Sequence, residues 1–196
     1  MSHMCTPLFT PTCAMETPTI INLMRNMNVN HPIALEEVHN AYPDVTKLYR
    51  GRPEMLIFKM TNGRNMQLFR GGKVQILGRV PDTEVENMRL ELIMKLRSIS
   101  KTPHSQVTPV TVSNLVMSVQ LKKTVCLRKI NLTNANFFHE IELFPAALIR
   151  KWHPVHIAVF HTGKVILTGL KSVEHFYDIM SSLTSFLEVS HVFTEK

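Results

Sequence analysis

Three histidines lie close together in the chain, at 153, 156 and 161, around the run His-Pro-Val-His. A metal site there would need cysteine or carboxylate ligands at fitting intervals, and none is so placed, so isolated surface histidines are the simpler reading. Cys5, Cys13 and Cys126 form no CxxC pair and no even framework, which points to a reducing compartment without a disulfide scaffold. No nucleophile–histidine–acid arrangement appears. Gly71-Gly72-Lys73 and Thr162-Gly163-Lys164 lack the spacing of a phosphate-binding loop and read as hairpin turns. No enzyme activity, cofactor, metal or small-molecule substrate is expected. What recurs are groups that bind rather than react. Phe69, Gly72, Lys73, Val74 and Gly78 return as Phe160, Gly163, Lys164, Val165 and Gly169, each 91 residues later. Asn22 and Asn114, each followed by leucine, are 92 apart.

A period near ninety in 196 residues means two copies of one unit. The expected organisation is a loose arm over 1–17, a first repeat over 18–100, a linker over 101–107 and a second repeat over 108–196. In the first repeat, alternation predicts strands at 19–27, 55–60, 66–69 and 74–77, with a short helix at 33–41. A long helix follows, with a capping box between Thr83 and Glu86 and a stripe of Val85, Met88, Leu92, Leu96 and Ile99. The second repeat predicts strands at 111–119, 148–152, 157–160 and 165–168, and helix over most of 125–138. Ser172 should cap a last helix striped by Val173, Phe176, Met180, Leu183 and Leu187. Each long helix must bury its stripe on one face of a sheet, giving an α+β fold.

Composition bounds the partner. A 44% hydrophobic fraction suffices for a core, and a net charge of +7 with a pI near 9.5 suits an acidic partner such as nucleic acid. No apolar run is long enough to span a membrane, and no secretory signal is expected.

Parity within the strands separates two faces. Val159, Val165 and Leu167 share the predicted core face. Ala158, Phe160, Ile166 and Thr168 share the opposite one, together with Asn114 and Val116 if register follows the repeat. A sheet face left free by helices is normally polar, whereas this one is apolar with a central amide and a hydroxyl. Either a partner occupies it, or another part of the chain or a second subunit covers it.

At this point a family resemblance becomes specific. Glu142-Leu-Phe-Pro145, Arg150, Pro154 and Phe160-x-x-Gly-Lys-Val-Ile-Leu-Thr-Gly-x-Lys171 follow one another as in the TATA-box-binding protein family, and Asn114-Leu-Val116 fits upstream. The resemblance covers roughly 17–190. It implies a saddle of two pseudo-symmetric repeats, each a curved antiparallel sheet with helices on the convex side, whose concave face binds the minor groove of double-stranded DNA. Asn22 and Asn114 match the central asparagines. Val116, Ile166 and Thr168 match floor positions, and Met24 stands at one where the family has valine. Phe144 and Phe160 match one complete wedge pair, and Phe69 matches one member of the other. Lys59, Lys73, Arg150, Lys164 and Lys171 match basic positions that resemble phosphate contacts. Glu140, Glu142 and Leu143 match a loop that resembles the docking site for general transcription factor IIB. A nuclear location is implied by the family alone.

The first repeat departs from the pattern. Its missing wedge phenylalanine should lie 16 or 17 residues before Phe69, at Arg52 or Pro53. Gln67 and Gln75 share a face with Phe69, where the family has apolar residues; Leu77 stands where it has threonine, and Val80 replaces a basic residue. The loop Tyr49 to Glu54 also differs, leaving factor IIA in doubt. The leading expectation is a TATA-box-binding-protein-like initiation factor with weaker or less selective DNA binding. The alternative is a relative that binds no DNA and acts as a protein–protein adaptor or sequesters general factors. A third reading, an accessory domain beside a nucleic-acid enzyme, has no catalytic module here to support it.

Overall fold

A computed structural model describes residues 15–99, 104–131, 137–138, 142–150 and 154–194. Two compact units are present: Asn22–Leu115, and the residues up to Ile21 together with those from Val116 onward.

The first unit runs β1 (Thr19–Asn28), α1 (Leu35–Ala41), β2 (Thr46–Tyr49), β3 (Met55–Lys59), β4 (Asn65–Phe69), β5 (Lys73–Leu77) and α2 (Asp82–Arg97). Its strands pair antiparallel in the order β2-β3-β4-β5-β1. Leu56, Phe58, Met66, Leu68, Val74 and Ile76 point to one face and are buried beneath Val85, Met88, Leu92 and Leu96 of α2. The stripe falls where helical spacing places it, except that Ile99 lies beyond the helix end and is only partly buried.

The second unit adds β6 (Thr111–Gln120), β7 (Thr124–Val125), α3 (Leu127–Asn131), β8 (Phe137–Phe138), β9 (Ala146–Ile149), β10 (His156–Phe160), β11 (Lys164–Leu170), α4 (Val173–Val189) and β12 (Phe193–Thr194). Its main order is β6-β11-β10-β9-β8, and β12 pairs with β7. The first half of β6, through Leu115, belongs with the first unit. Phe176, Met180, Leu183 and Leu187 of α4 are buried, together with Ile157, Val159, Val165 and Leu167 of the sheet. Ser172 caps α4 by accepting the His175 N–H at 3.2 Å. Both units are α+β, with an antiparallel sheet whose buried face is covered by a long helix.

Three local expectations are corrected. Thr83 and Glu86 make no capping box. The helix begins at Asp82 after Pro81, without a side-chain cap; Asp82 instead takes a hydrogen bond from the buried Arg25, and Glu86 pairs with Arg89. Of the helix expected over most of 125–138, the described residues show α3, and Phe137–Phe138 pairs instead as a strand with Ile149 and Leu148. The strand expected at 148–152 lies at Ala146–Ile149.

The repeat is visible in backbone bonding. Val29 N–H donates to Gly72 O at 2.8 Å, and Leu121 N–H to Gly163 O at 2.9 Å. Ile33 N–H donates to Arg70 O, and Val125 N–H to His161 O, both at 2.9 Å. Gly72 (φ +92) and Gly163 (φ +85) lie against strand-end carbonyls, so an added Cβ would meet Val29 O at 2.9 Å and Lys123 O at 2.3 Å respectively. Glycine is required twice, for its torsion angle and for its missing side chain.

Candidate nucleic-acid interface

The second unit presents an apolar row on the face away from α4. The register places Leu148 opposite Ala158 and Ala158 opposite Ile166, all half-buried while their strand neighbours are fully buried. Thr168 lies opposite His156, and Val116 is half-buried on β6. At the edge of this face stand two phenylalanines. Phe160 ends β10 opposite Ala146, and Phe144 precedes that alanine by two residues. Their ring centroids are 6.2 Å apart with planes inclined at 58°, and Phe144 is 41% exposed. Tilted rings at this separation attract each other through their quadrupoles, which helps hold the pair while it is only partly buried.

The same register fixes the counterpart in the first unit. Phe69 lies opposite Met55, so the residue two before that partner is Pro53. Pro53 therefore occupies the place of Phe144, and Phe69 has no aromatic partner there. The row across this face is Ile57, Gln67, Gln75 and Asn26. Gln75 Nε2 donates to Asn26 Oδ1 at 3.1 Å and to Met24 Sδ at 3.4 Å. Asn22 is exposed, Met24 is half-buried, and Leu77, opposite Met24, is 44% exposed. Asn114 is half-buried on the portion of β6 that belongs with this unit.

Basic side chains mark equivalent strand ends. Lys59 ends β3 and Arg150 follows β9, at corresponding positions; Lys73 and Lys164 open β5 and β11; Lys171 follows β11. All five are exposed. Val80, which corresponds to Lys171, is buried, and its carbonyl accepts the Arg25 guanidinium at 2.8 Å. Charge has been replaced there by packing. Arg70, in the turn after Phe69, holds Glu36 at 2.7 Å and Glu54 at 2.8 Å. That hydrogen bond draws the Glu36 carboxyl below its ordinary value.

Glu142 and Leu143 are exposed immediately before Phe144, Leu143 by 74%. Glu140 lies outside the described residues, as does His153. Among the described residues, no cluster of three His, Cys, Asp or Glu could hold a metal ion.

Residues 109–189 match the family model of transcription factor TFIID (or TATA-binding protein, TBP). The structure is similar to Methanococcus jannaschii TBP, with a TM-score of 0.67 and 25% identity over 89% of this chain and 99% of that one. Residues 109–189 thus carry the match to the TATA-binding protein family, and the fold of the chain is similar to that of a TATA-binding protein. A second solved structure, a complex of A. aeolicus tRNASec with M. kandleri SerRS, is 15% identical with a TM-score of 0.36 over 85% of this chain and 30% of that one; it carries no argument. No curated protein sequence gives a significant match. The TATA-binding proteins are non-enzymatic, DNA-binding transcription factors, and the matched span contains the phenylalanine pair and the apolar row.

Two site features escaped the sequence reading. Leu148 belongs to the apolar row, but it could not be placed before the strand was located at Ala146–Ile149. The link from Gln75 to Asn26 needed the β1–β5 register, although the alternation of β1 already put Asn26 on the outward face with Met24.

Proposed function

We propose that this TATA-binding protein relative binds the minor groove of double-stranded DNA and nucleates transcription initiation in the nucleus. The pair of exposed Phe144 and half-buried Phe160, 6.2 Å apart beside an apolar strand row, carries the proposal. Aromatic side chains left in water on a rigid sheet can enter between base steps, the wedge mode for which the TATA-binding protein is itself the known example. Unstacking costs a few kcal/mol per step and is offset by the contact area that bent DNA gains. In the minor groove, A·T pairs show only acceptors, to which the Asn22 and Asn114 amides can donate. Guanine adds an amino group that the Val116 and Ile166 side chains cannot accept. Lys59, Lys73, Arg150, Lys164 and Lys171 would neutralise phosphates. Glu142 and Leu143, with Glu140, would receive a factor of the IIB type; the altered loop before β3 makes a factor of the IIA type the weaker expectation.

A second reading rests on Pro53 in the wedge position and on the polar first-unit row. In it, the first unit grips DNA poorly and the chain acts chiefly through proteins. Binding of the full chain to a TATA duplex and a G·C-rich duplex over a salt series separates the two. Selective binding whose logarithm falls against log salt with a slope near −4 to −5, from about five phosphate contacts, supports DNA recognition. Weak and equal binding to both duplexes would hand the lead to the adaptor reading.

A further inference from the structure

The two units carry different chemistry at equivalent places on the sheet. Where the second unit has Ala158 and Ile166, the first has Gln67 and Gln75. An amide nitrogen has two hydrogens, and those of Gln75 are directed to Asn26 Oδ1 and Met24 Sδ. Its carbonyl Oε1 is what remains, a fixed acceptor on the outward face. Beside it, the half-buried Gln67 amide has no hydrogen-bond partner among the described residues. Exposed lysines at 47, 59 and 73 lie on the strands around this row and suit a polyanion.

An acceptor here meets an A·T pair badly, because the minor-groove edge of A·T also offers only acceptors. The one minor-groove donor is the 2-amino group of guanine. We infer that the first unit reads a G·C pair through Gln75, assisted by Gln67, so that the DNA site has one half that accepts guanine and one half that excludes it. This rests on the DNA-binding reading above and extends it to sequence preference. An apolar floor excludes guanine because its amino group would lose water and gain no acceptor. Gln75 removes that penalty in one half only, while Ile166 keeps it in the other.

Inosine isolates the group concerned, since an I·C pair differs from G·C in the minor groove only by lacking the amino group. The full chain is titrated by fluorescence anisotropy with duplexes in which each base pair of an A·T site is replaced in turn by G·C or by I·C. The expected result is two classes of position. In one, G·C binds about five-fold more tightly than I·C, the range of one hydrogen bond. In the other, G·C binds about ten-fold more weakly. Gln75→Ile, which installs the residue of the other unit, should abolish the first class, leave the second unchanged and keep the native melting temperature. G·C weaker than I·C at every sensitive position would overturn the inference while leaving DNA binding intact. A guanine preference that survives both Gln75→Ile and Gln67→Ala would overturn the assignment to these residues. Failure to bind any duplex, the all-A·T one included, would overturn the DNA reading itself and this inference with it.

Discussion

Replacing Phe144 with alanine tests the wedge most directly. The ring is 41% exposed in the free protein. Taking the full area of a phenylalanine as about 200 Å², roughly 80 Å² remains to be covered by DNA. At about 25 cal/mol per Å² that is ~2 kcal/mol, or ~30-fold in affinity. By the same arithmetic the free protein should lose up to ~3 kcal/mol, because roughly 120 Å² of the residue is already covered, in part by Phe160. Titration of a labelled TATA duplex should therefore show Phe144→Ala binding ~30-fold more weakly, with an unchanged salt slope, since no phosphate contact is removed. Gel-shift bending assays should show a smaller deflection. An affinity within threefold of the native value, with the fold intact by thermal melting, would refute the wedge. A flattened salt slope would show instead that the substitution had displaced the basic residues.

Other outcomes follow from the same geometry. Gly163→Ala places a methyl 2.3 Å from Lys123 O at φ +85, so urea titration should show a loss of about 3 kcal/mol or more. Gly63→Ala, at φ +79 with open space around it, should cost only ~1–2 kcal/mol and serves as the control for torsional strain. Ser172→Ala removes the acceptor for His175 N–H and should lower stability by ~1 kcal/mol by thermal melting. The Glu36 carboxyl titrates below its ordinary value of 4.5 because Arg70 donates to its ionised form. Its small stabilisation is therefore present above that value and lost as pH falls through the lowered one. The native chain should lose melting temperature over that range slightly faster than Glu36→Gln, whose side chain does not titrate.

The sequence disclosed the recurring turns because a hairpin glycine and the phenylalanine before it are local features that survive as letters. It also disclosed α4, whose stripe has one period and whose Ser172 cap is a local bond. It could not choose between Arg52 and Pro53, because that choice depends on Phe69 lying opposite Met55, a pairing across strands. The Thr83–Glu86 signature failed for a similar reason. Arg25, buried on β1, draws in both the Val80 carbonyl and Asp82, and this long-range tie sets how the chain enters α2. Phe137 and Phe138 read as helix because two residues have no measurable alternation; their strand pairing comes from β9. On the outward face, the family resemblance marked Gln67 and Gln75 as departures, but only the hydrogen bonds of Gln75 show which end of its amide is free.

The glycine turns also determine what genetics could recover. A defect in which one side chain collides with another can be relieved by shrinking the neighbour, so suppressor mutations arise elsewhere in the gene. At Gly72 and Gly163 the colliding atoms are main-chain carbonyl oxygens, of Val29 and His31 in one case and of Lys123 and Leu121 in the other. No codon change at those four positions removes a carbonyl. Selection from Gly163→Ala should therefore return the original glycine codon rather than compensating alleles, whereas a lesion in the outward-facing row can be answered by drift at a neighbouring side chain. The turn glycines are thus fixed points of the duplicated unit, and the two outward faces could diverge around them.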